Sequence, residues 1–249
     1  MSVNEHSTAA LEQQMLGLDR TIGDDHYRAY VGPASEYDLV SAMTFNLLTV
    51  CGLRQHHRVL DIGCGSLRLG RLLIPYLNPG NYFGLEPNKW LVDDGIRYEV
   101  GPSFMQMRRA TMVHDTTLAS LDAADKFDYM VAQSIFSHTA PDLLTQWLQE
   151  AACHLQDSGY LLATIIEGDT PCEGSGWIYP ECVEFPLDYV RRVAAEQGLE
   201  VLPLNWYHPR QTWCAFYRPG ADTRWLNGGS PSWNAVGAVL EAAAGQSDD

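Results

Sequence analysis

Short apolar runs alternate with amphipathic stretches along most of the chain. The apolar runs are continuous, which predicts strands buried on both faces, at residues 58–62, 82–85, 127–132 and 160–166. Between them, apolar side chains recur at helical spacing, which predicts helices at residues 36–50, 67–77, 90–98, 141–156 and 187–197. Repeated strand–helix units indicate a parallel sheet with right-handed crossovers.

Weaker signals complete this pattern. Residues 110–114 predict a short third strand, and residues 199–206 and 212–217 predict an antiparallel pair at the sheet edge. Gly101-Pro102 predicts the end of a helix. Residues 170–186 are rich in glycine, proline and aromatic side chains, which predicts an irregular insertion.

The most distinctive motif follows the first predicted strand. There an apolar run ends in the sequence Asp61-Ile62-Gly63-Cys64-Gly65, and a helical pattern follows. Glycine accepts positive φ and lets a ligand approach bare backbone, and the helix behind the turn offers unpaired N–H groups. The second strand ends at Glu86. In an α/β nucleotide site, a carboxylate at that place accepts hydrogen bonds from the ribose hydroxyls.

Three kinds of nucleotide-binding site have a glycine-rich turn directly after a strand. A P-loop needs a lysine followed by Ser or Thr after its last glycine, whereas Gly65 leads into Ser66-Leu67-Arg68, which argues against it. A dinucleotide site needs a third glycine where Arg68 stands, and Gly70 comes two residues late. That interpretation is weakened but stays open. The third kind binds S-adenosylmethionine, which has no phosphate.

Four landmarks in order support the third kind of site. Residues 59–70, 82–86, 127–138 and 157–166 resemble class I S-adenosylmethionine-dependent methyltransferases, and the resemblance covers about residues 58–218. It implies an α/β fold with a seven-stranded, mostly parallel, doubly wound sheet in the order 3-2-1-4-5-7-6. The last strand is antiparallel, and a helical extension precedes the sheet. The implied cofactor is S-adenosyl-L-methionine.

The resemblance also implies cofactor contacts at the carboxyl ends of the strands, where α/β sheets bind ligands. The two glycines approach the methionine part, Asp61 supports its amino group, and Glu86 holds the ribose. Asp115 lies beside the adenine, and Gln133 lies near the sulfonium. The full predicted set is Asp61, Gly63, Cys64, Gly65, Glu86, Pro87, Asp115, Gln133 and Ser134. Asp115 fits the N-cap of a following turn equally well.

Catalysis of methyl transfer mainly requires alignment of the nucleophile, the carbon and the sulfur. Where the acceptor must lose a proton, His138 just past the fourth strand is the candidate base, and Glu167 at the end of the fifth strand is a second one. Aromatic and histidine side chains on predicted loops are expected to line the acceptor pocket and exclude water. They are Tyr27, Tyr30, Tyr37, Phe136, Trp177, Tyr179, Trp206 and His208.

Composition narrows the classes of partner. The 249 residues include 16 basic and 31 acidic side chains, giving a formal net charge of −15. A field of that sign repels phosphate backbones, which argues against nucleic acid. No apolar run approaches the ~20 residues that span a bilayer, and no secretory signal is visible. The six cysteines are scattered and form no C-x-x-C pair, so we expect reduced thiols, no metal site and a cytoplasmic protein.

These observations predict three segments. They are an N-terminal helical extension or lid at 1–52, a class I methyltransferase Rossmann-like domain at 53–220, and a C-terminal tail at 221–249. The tail contains a predicted helix at 232–244, which packs on its own domain or on a second subunit of a homodimer. The predicted function is methyl transfer from S-adenosylmethionine to a small-molecule hydroxyl, amine or thiol. The alternatives are an NAD-dependent oxidoreductase and a non-catalytic module that binds S-adenosylmethionine.

Overall fold

The computed structural model describes residues 13–170 and 173–227, and a single sheet organises them. Its main path has the order β3-β2-β1-β4-β5-β8-β7. The strands are β1 (Val59–Ile62), β2 (Tyr82–Leu85), β3 (Thr111–Val113), β4 (Phe127–Ala132), β5 (Leu155–Glu167), β6 (Glu184–Phe185), β7 (Glu200–Leu204) and β8 (Thr212–Tyr217). Strand β8 is antiparallel to both β5 and β7. Without the two-residue β6, this is the predicted order with its last strand antiparallel, so the fold prediction is confirmed.

Helices lie on both faces of the sheet. They are α1 (Tyr37–Val50), α2 (Gly70–Tyr76), α3 (Lys89–Gly95), α4 (Pro102–Arg108), α5 (Pro141–His154), α6 (Leu187–Glu196) and α7 (Arg224–Asn227). A π-helical turn, Ile96–Val100, extends α3, and short 3₁₀ turns occupy Ala34–Glu36 and Phe136–His138. No helix among the described residues is long and apolar enough to cross a bilayer.

Two apolar clusters form the core, one on each face of the sheet. The first includes Leu47 and Leu48 of α1 packed with Trp213 of β8. The second includes Trp147 of α5 and Val190 of α6. Helix α1 is therefore part of the main core, although it belongs to the segment assigned to the N-terminal extension. The segment boundaries stay predictions, and the helix predicted at 232–244 lies outside the described residues.

Three local predictions were wrong or incomplete. Helix α4 was not predicted, because Gly101-Pro102 indicates the end of a helix, whereas Pro102 occupies the first turn of a new helix. Leu155 was placed in the helix at 141–156, but it is the first residue of β5 and pairs with Phe127. Its apolar side chain suits the helical stripe and the buried strand equally, so the pattern could not separate them. The insertion contains β6, which pairs in parallel with the end of β5.

Residues 27–33, which we call the strap, are tied to the sheet domain by an ion-pair network around the buried pair Arg28 and Glu99. Arg28 is only 7% exposed, and its guanidinium lies 2.6 Å from Glu99 Oε1 and 3.3 Å from Asp38 Oδ2. Arg71 of α2 reaches the same two carboxylates, at 3.5 Å from Glu99 Oε2 and 2.6 Å from Asp38 Oδ1. The network therefore joins the strap to α1, α2 and the π-helical turn.

The strap also contacts the described part of the insertion, residues 173–186. The Tyr179 hydroxyl donates a hydrogen bond of 2.7 Å to the carbonyl of Tyr30. The Tyr30 ring packs edge-on against Trp90 of α3, with the ring centroids 5.2 Å apart. The strap is thus held at Arg28 by charge and at Tyr30 by aromatic packing.

Candidate functional site

The carboxyl ends of β1, β2 and β4 meet at one edge of the sheet, and the glycine turn after β1 forms its centre. Gly63 has φ +64° and Gly65 has φ +54°, values that favour glycine. A Cβ at Gly63 would lie 2.1 Å from Cδ1 of Ile135, and one at Gly65 would lie 2.7 Å from Cγ1 of Val31. The turn is therefore packed closely on both sides, and the positive φ at both positions favours glycine.

Glu86, directly after β2, is bonded to this turn. Its Oε2 accepts a hydrogen bond of 3.1 Å from the backbone N–H of Gly65. Its Oε1 accepts bonds of 2.9 Å from both the backbone N–H and the side-chain amide of Asn88. Glu86 is only 6% exposed, and burial raises the pKa of its carboxyl, while these N–H donors oppose that shift. One lone-pair position on Oε2 remains for a hydroxyl group.

Asp61, within β1, is the second buried acid at this edge. The Tyr82 hydroxyl donates a hydrogen bond of 2.9 Å to Asp61 Oδ2. Burial raises the pKa of Asp61 to about 7, against the lowering effects of Tyr82 and Arg68. The group therefore changes charge near neutral pH.

Arg68 closes the pocket beside the turn. One of its N–H groups donates a hydrogen bond of 2.8 Å to the carbonyl of Val31 in the strap, and another donates to Oε1 of Gln133. The cavity that remains between the strap, the turn and Gln133 measures about 30 Å³, roughly the room of one water molecule. A larger ligand fits here only when the strap or the Arg68 side chain shifts.

His138 lies in the loop after β4, in contact with the insertion. Its Nδ1 is 2.7 Å from the carbonyl of Glu181. A carbonyl only accepts, so Nδ1 carries the proton and Nε2 keeps its lone pair in the neutral ring. Burial lowers the pKa of His138, which favours that neutral form. The rings of Tyr179 and Trp177 stand beside it, with centroids 5.1 and 5.9 Å away.

Two other predicted acids face different partners. Asp115 Oδ1 accepts bonds of 2.6 and 3.3 Å from the backbone N–H groups of Thr116 and Thr117, and these bonds lower its pKa. Asp115 thus bonds to the turn that follows it, and its place beside the adenine stays a prediction. Glu167 is exposed at the end of β5 and accepts a bond of 2.5 Å from the hydroxyl of Thr212.

The remaining predicted cofactor residues flank the turn. Cys64 is buried, and its backbone N–H donates to the carbonyl of Leu85 at 3.1 Å. Pro87 is exposed after Glu86. Ser134 has φ +57°, and its backbone N–H donates a bond of 2.7 Å to the hydroxyl of Thr164.

The predicted aromatic set divides into two groups. Tyr37 and Phe136 are fully buried and Trp206 is 7% exposed. Tyr37 donates to the carbonyl of Ser66 at 3.1 Å, and the Trp206 indole donates to the carbonyl of Met43 at 3.2 Å. These three side chains pack in the interior, because each meets apolar surface or a backbone acceptor there, and they do not face an open pocket. The second group lies in or beside the strap or near His138. Its members are Tyr27, Tyr30, Trp177 and Tyr179.

Two residues at this edge were not predicted. Arg68 stands where a dinucleotide site has its third glycine, and its side chain lines the pocket. A basic residue directly after a ligand-binding turn was the available signal. His114 follows β3, and its Nδ1 lies 2.9 Å from the carbonyl of Glu86. No local pattern indicates that contact, because it joins two strands.

The chain is similar in structure to several methyltransferases. Magnesium protoporphyrin IX methyltransferase from Synechocystis PCC 6803, solved with bound S-adenosylmethionine, is 14% identical over 85% of this chain and 92% of that chain, with a TM-score of 0.55. An S-adenosylmethionine-dependent methyltransferase from Clostridium acetobutylicum ATCC 824 is 12% identical over 87% and 99%, with a TM-score of 0.54. The glycopeptide N-methyltransferase MtfA is 15% identical over 72% and 90%, with a TM-score of 0.54.

These likenesses define the class of fold. The chain has the class I S-adenosylmethionine-dependent methyltransferase fold. No protein-family model matches the chain. Because the sequence identities are low, these similarities support a statement about the fold alone.

The donor and acceptor groups of the edge fit the cofactor of that fold. Glu86 supplies a buried carboxylate with an open lone pair for a ribose hydroxyl. Asp61 supplies a carboxyl for an amino group, and Arg68 supplies a cation for a carboxylate. Among the described residues, no three His, Cys, Asp or Glu side chains are grouped to hold a metal ion.

Proposed function

We propose that the protein transfers a methyl group from S-adenosyl-L-methionine to a small-molecule hydroxyl, amine or thiol. One observation carries this proposal: the buried Glu86 carboxylate is hydrogen-bonded at 3.1 Å to the backbone of the glycine turn. The bond joins the ribose-binding acid and the methionine-binding turn into one rigid unit. In this arrangement Glu86 binds the ribose and Asp61 binds the amino group. The cofactor supplies an activated methyl group when bound.

A small acceptor is supported by the covering of the site and by its charge. The strap and the insertion are bonded to each other through Tyr179 and Tyr30, which restricts access to the edge. The net charge of −15 opposes a polyanionic substrate. Similar structures carry names of small acceptors, including magnesium protoporphyrin IX and mitomycin, although those names describe the other proteins.

His138 is proposed as the base that accepts the acceptor's proton. The Glu181 carbonyl holds Nδ1 as a donor, which leaves the Nε2 lone pair for proton transfer. The ring is neutral at pH 7 because burial lowers its pKa. The rings of Tyr179 and Trp177 flank the imidazole. Glu167 stays a weaker candidate, because its carboxylate is exposed and bonded to Thr212.

Cofactor binding is tested by calorimetry with S-adenosylhomocysteine. Glu86→Gln keeps the size of the side chain but removes the charge that accepts the ribose hydroxyls. Hydrogen bonds to a charged group are worth about 1.5–3 kcal/mol, so we expect binding to weaken by about 10- to 100-fold. The matched control is Glu196→Gln, at an exposed position at the end of α6, which should leave binding unchanged. Equal affinity for the Glu86 variant and the wild type would refute the site.

Methyl transfer is tested with tritium-labelled S-adenosylmethionine. The protein is incubated separately with the ultrafiltered small molecules and with the retained macromolecules of a cell extract. We expect label in the small-molecule fraction and loss of that label with Glu86→Gln. Label confined to macromolecules would contradict the proposed acceptor class. Tight cofactor binding without any transfer would favour the binding module, and binding of NADH without S-adenosylhomocysteine would favour the oxidoreductase.

A further inference from the structure

A row of side chains links the cofactor edge to the loop between β7 and β8. Arg68 contacts Oε1 of Gln133, and Nε2 of Gln133 lies 3.1 Å from Nε2 of His208. Gln133 Nε2 also donates a bond of 2.5 Å to the hydroxyl of Ser134. This hydroxyl receives a second bond, of 3.0 Å, from the side-chain amide of Gln211.

The tautomer of His208 is fixed by the backbone. Its Nδ1 lies 3.2 Å from the backbone N of Arg210 and 3.1 Å from that of Gln211. Backbone N–H groups only donate, so Nδ1 accepts and the neutral ring carries its proton on Nε2. Burial lowers the pKa of His208 to about 4, with Arg210 and Arg68 adding to the effect, so the ring is neutral at pH 7. An N–H of His208 therefore points at the amide group of Gln133.

At the Gln133 amide, hydrogen-bond donors outnumber acceptors. The Gln133 amide offers one carbonyl oxygen, and both the Arg68 guanidinium and the His208 N–H need it. Turning the amide over satisfies His208 but sets an NH₂ group against Arg68. The Ser134 hydroxyl bonds to the amides of Gln133 and Gln211, not to Arg68 or His208, and does not relieve this shortage. The buried Gln211 Oε1 has no hydrogen-bond partner, and it bonds to neither Arg68 nor His208. A partly buried donor without an acceptor is destabilising, so the N–H groups of Arg68 and His208 together need an added acceptor.

The charges around the row favour an anionic acceptor. Arg210 is neutralised by Glu36, with two bonds of 3.0 and 2.7 Å. Arg68 forms no ion pair with any carboxylate among the described residues. Asp61 is near enough to influence it electrostatically, but this carboxyl is only partly ionised at pH 7. The row thus contains the Arg68 guanidinium without a paired carboxylate and the His208 Nε2–H without an acceptor.

We propose that Arg68, Gln133 and His208 form a carboxylate-binding site. The carboxylate belongs either to the amino-acid end of the cofactor or to the methyl acceptor, since both would approach the end of β4. The assignment rests on the proposed function for the identity of the nucleoside. A carboxylate oxygen placed between Gln133 and His208 satisfies the N–H groups of both and pairs with the Arg68 guanidinium.

The test compares two nucleosides and one simple acid by calorimetry. S-adenosylhomocysteine carries the amino-acid carboxylate, and 5′-methylthioadenosine lacks it. Each is titrated into the wild type, Arg68→Gln and His208→Phe. Benzoate is titrated into the same proteins with and without saturating S-adenosylhomocysteine. Arg191→Gln and His56→Phe, both at exposed positions, are the matched controls. Thermal unfolding checks that each variant is folded.

The two sources of carboxylate give different results. If the site holds the cofactor, the wild type binds S-adenosylhomocysteine about 10- to 100-fold more tightly than 5′-methylthioadenosine. Arg68→Gln and His208→Phe then lose most of this preference, while their binding of 5′-methylthioadenosine is unchanged. If the site holds the acceptor, the variants keep the preference but lose the benzoate binding that the wild type shows. The proposal is overturned if neither variant changes the preference or the binding of benzoate. Failure of the wild type to bind either nucleoside would refute the proposed function, and benzoate binding to the free protein would still test the site.

Discussion

Removal of the Arg28 guanidinium should strongly destabilise the protein, because it holds the strap through buried contacts. Arg28→Met keeps much of the apolar stem but removes bonds of 2.6 and 3.0 Å to Glu99 and one of 3.3 Å to Asp38. The guanidinium also lies 4.5 Å from the centre of the Tyr37 ring. Glu99 is left with the Tyr27 hydroxyl at 3.0 Å and Arg71 at 3.5 Å.

The expected loss follows from this partial compensation. Breaking a buried ion pair by removing one partner costs about 3–5 kcal/mol. Because Glu99 keeps two partners, we expect about 3 kcal/mol, at the low end of that range. Arg191→Met removes an exposed pair with Asp188, at 3.0 Å, and should cost less than about 1 kcal/mol.

Urea unfolding at pH 7, followed by tryptophan fluorescence and circular dichroism, measures both losses. The double variant Arg28→Met/Glu99→Gln should be more stable than the sum of the single losses predicts, by at least about 1 kcal/mol. Such coupling shows that the two side chains interact in solution. Equal losses for Arg28→Met and Arg191→Met, or additive single losses, would refute the claim that the ion pair fixes the strap.

Three further changes have defined outcomes. Gly63→Ala adds a Cβ at a position of positive φ, where it meets the Ile135 side chain. Urea unfolding should therefore show a loss of at least about 2 kcal/mol in the free energy of unfolding, and a neutral effect would contradict the packing of the turn. His138→Gln should abolish the acidic limb of the pH–rate profile, which in the wild type should have an apparent pKa below 6.5, and an unchanged limb would exclude His138 as the base. Asp61 has a folded pKa raised to about 7, so the folded protein binds the proton of this carboxyl more tightly than the unfolded chain does. The resulting gain in the free energy of unfolding is complete below the unfolded pKa of 3.8 and is lost as pH rises through 7. Asp61→Asn should therefore gain stability relative to the wild type between pH 5 and about 7.5 in urea titrations, and a pH-independent difference would refute the raised pKa.

The positions of the central strands could be predicted because each is a continuous apolar run with a distinct end, whereas their order in the sheet came from the resemblance to class I methyltransferases. Strands β2, β4 and β8 have the predicted bounds, and the helices between them fix the crossovers. Local ambiguities caused the errors. Pro102 begins a helix as readily as it ends one, and Leu155 fits both a helical stripe and a buried strand.

The site was only partly predictable, because its closure depends on long-range contacts. Gly63, Gly65 and Glu86 carry a local signal, since a turn and a strand end place them. Arg28 and Glu99 are separated by 71 residues, and no periodicity relates them. The contact of Arg68 with Gln133 joins residues 65 apart and depends on how β1 and β4 pair.

Burial was the other property that the sequence did not reveal. Tyr37, Phe136 and Trp206 have the same side-chain chemistry as residues that line pockets. Only the packing of α1 and β8 shows that these rings are enclosed. Aromatic residues near a predicted site therefore give weaker information than the acid and the glycines do.

The central claim is that Glu86 and the glycine turn hold the two ends of an adenosyl amino acid. The most direct measurement is a crystal structure of the protein grown with S-adenosylhomocysteine. The account predicts ribose hydroxyls within hydrogen-bonding distance of the Glu86 carboxylate, about 2.5–3.0 Å, and the amino-acid end beside Gly63. Density for the nucleoside at any other place, or none at the ends of β1 and β2 under saturating ligand, would contradict the account.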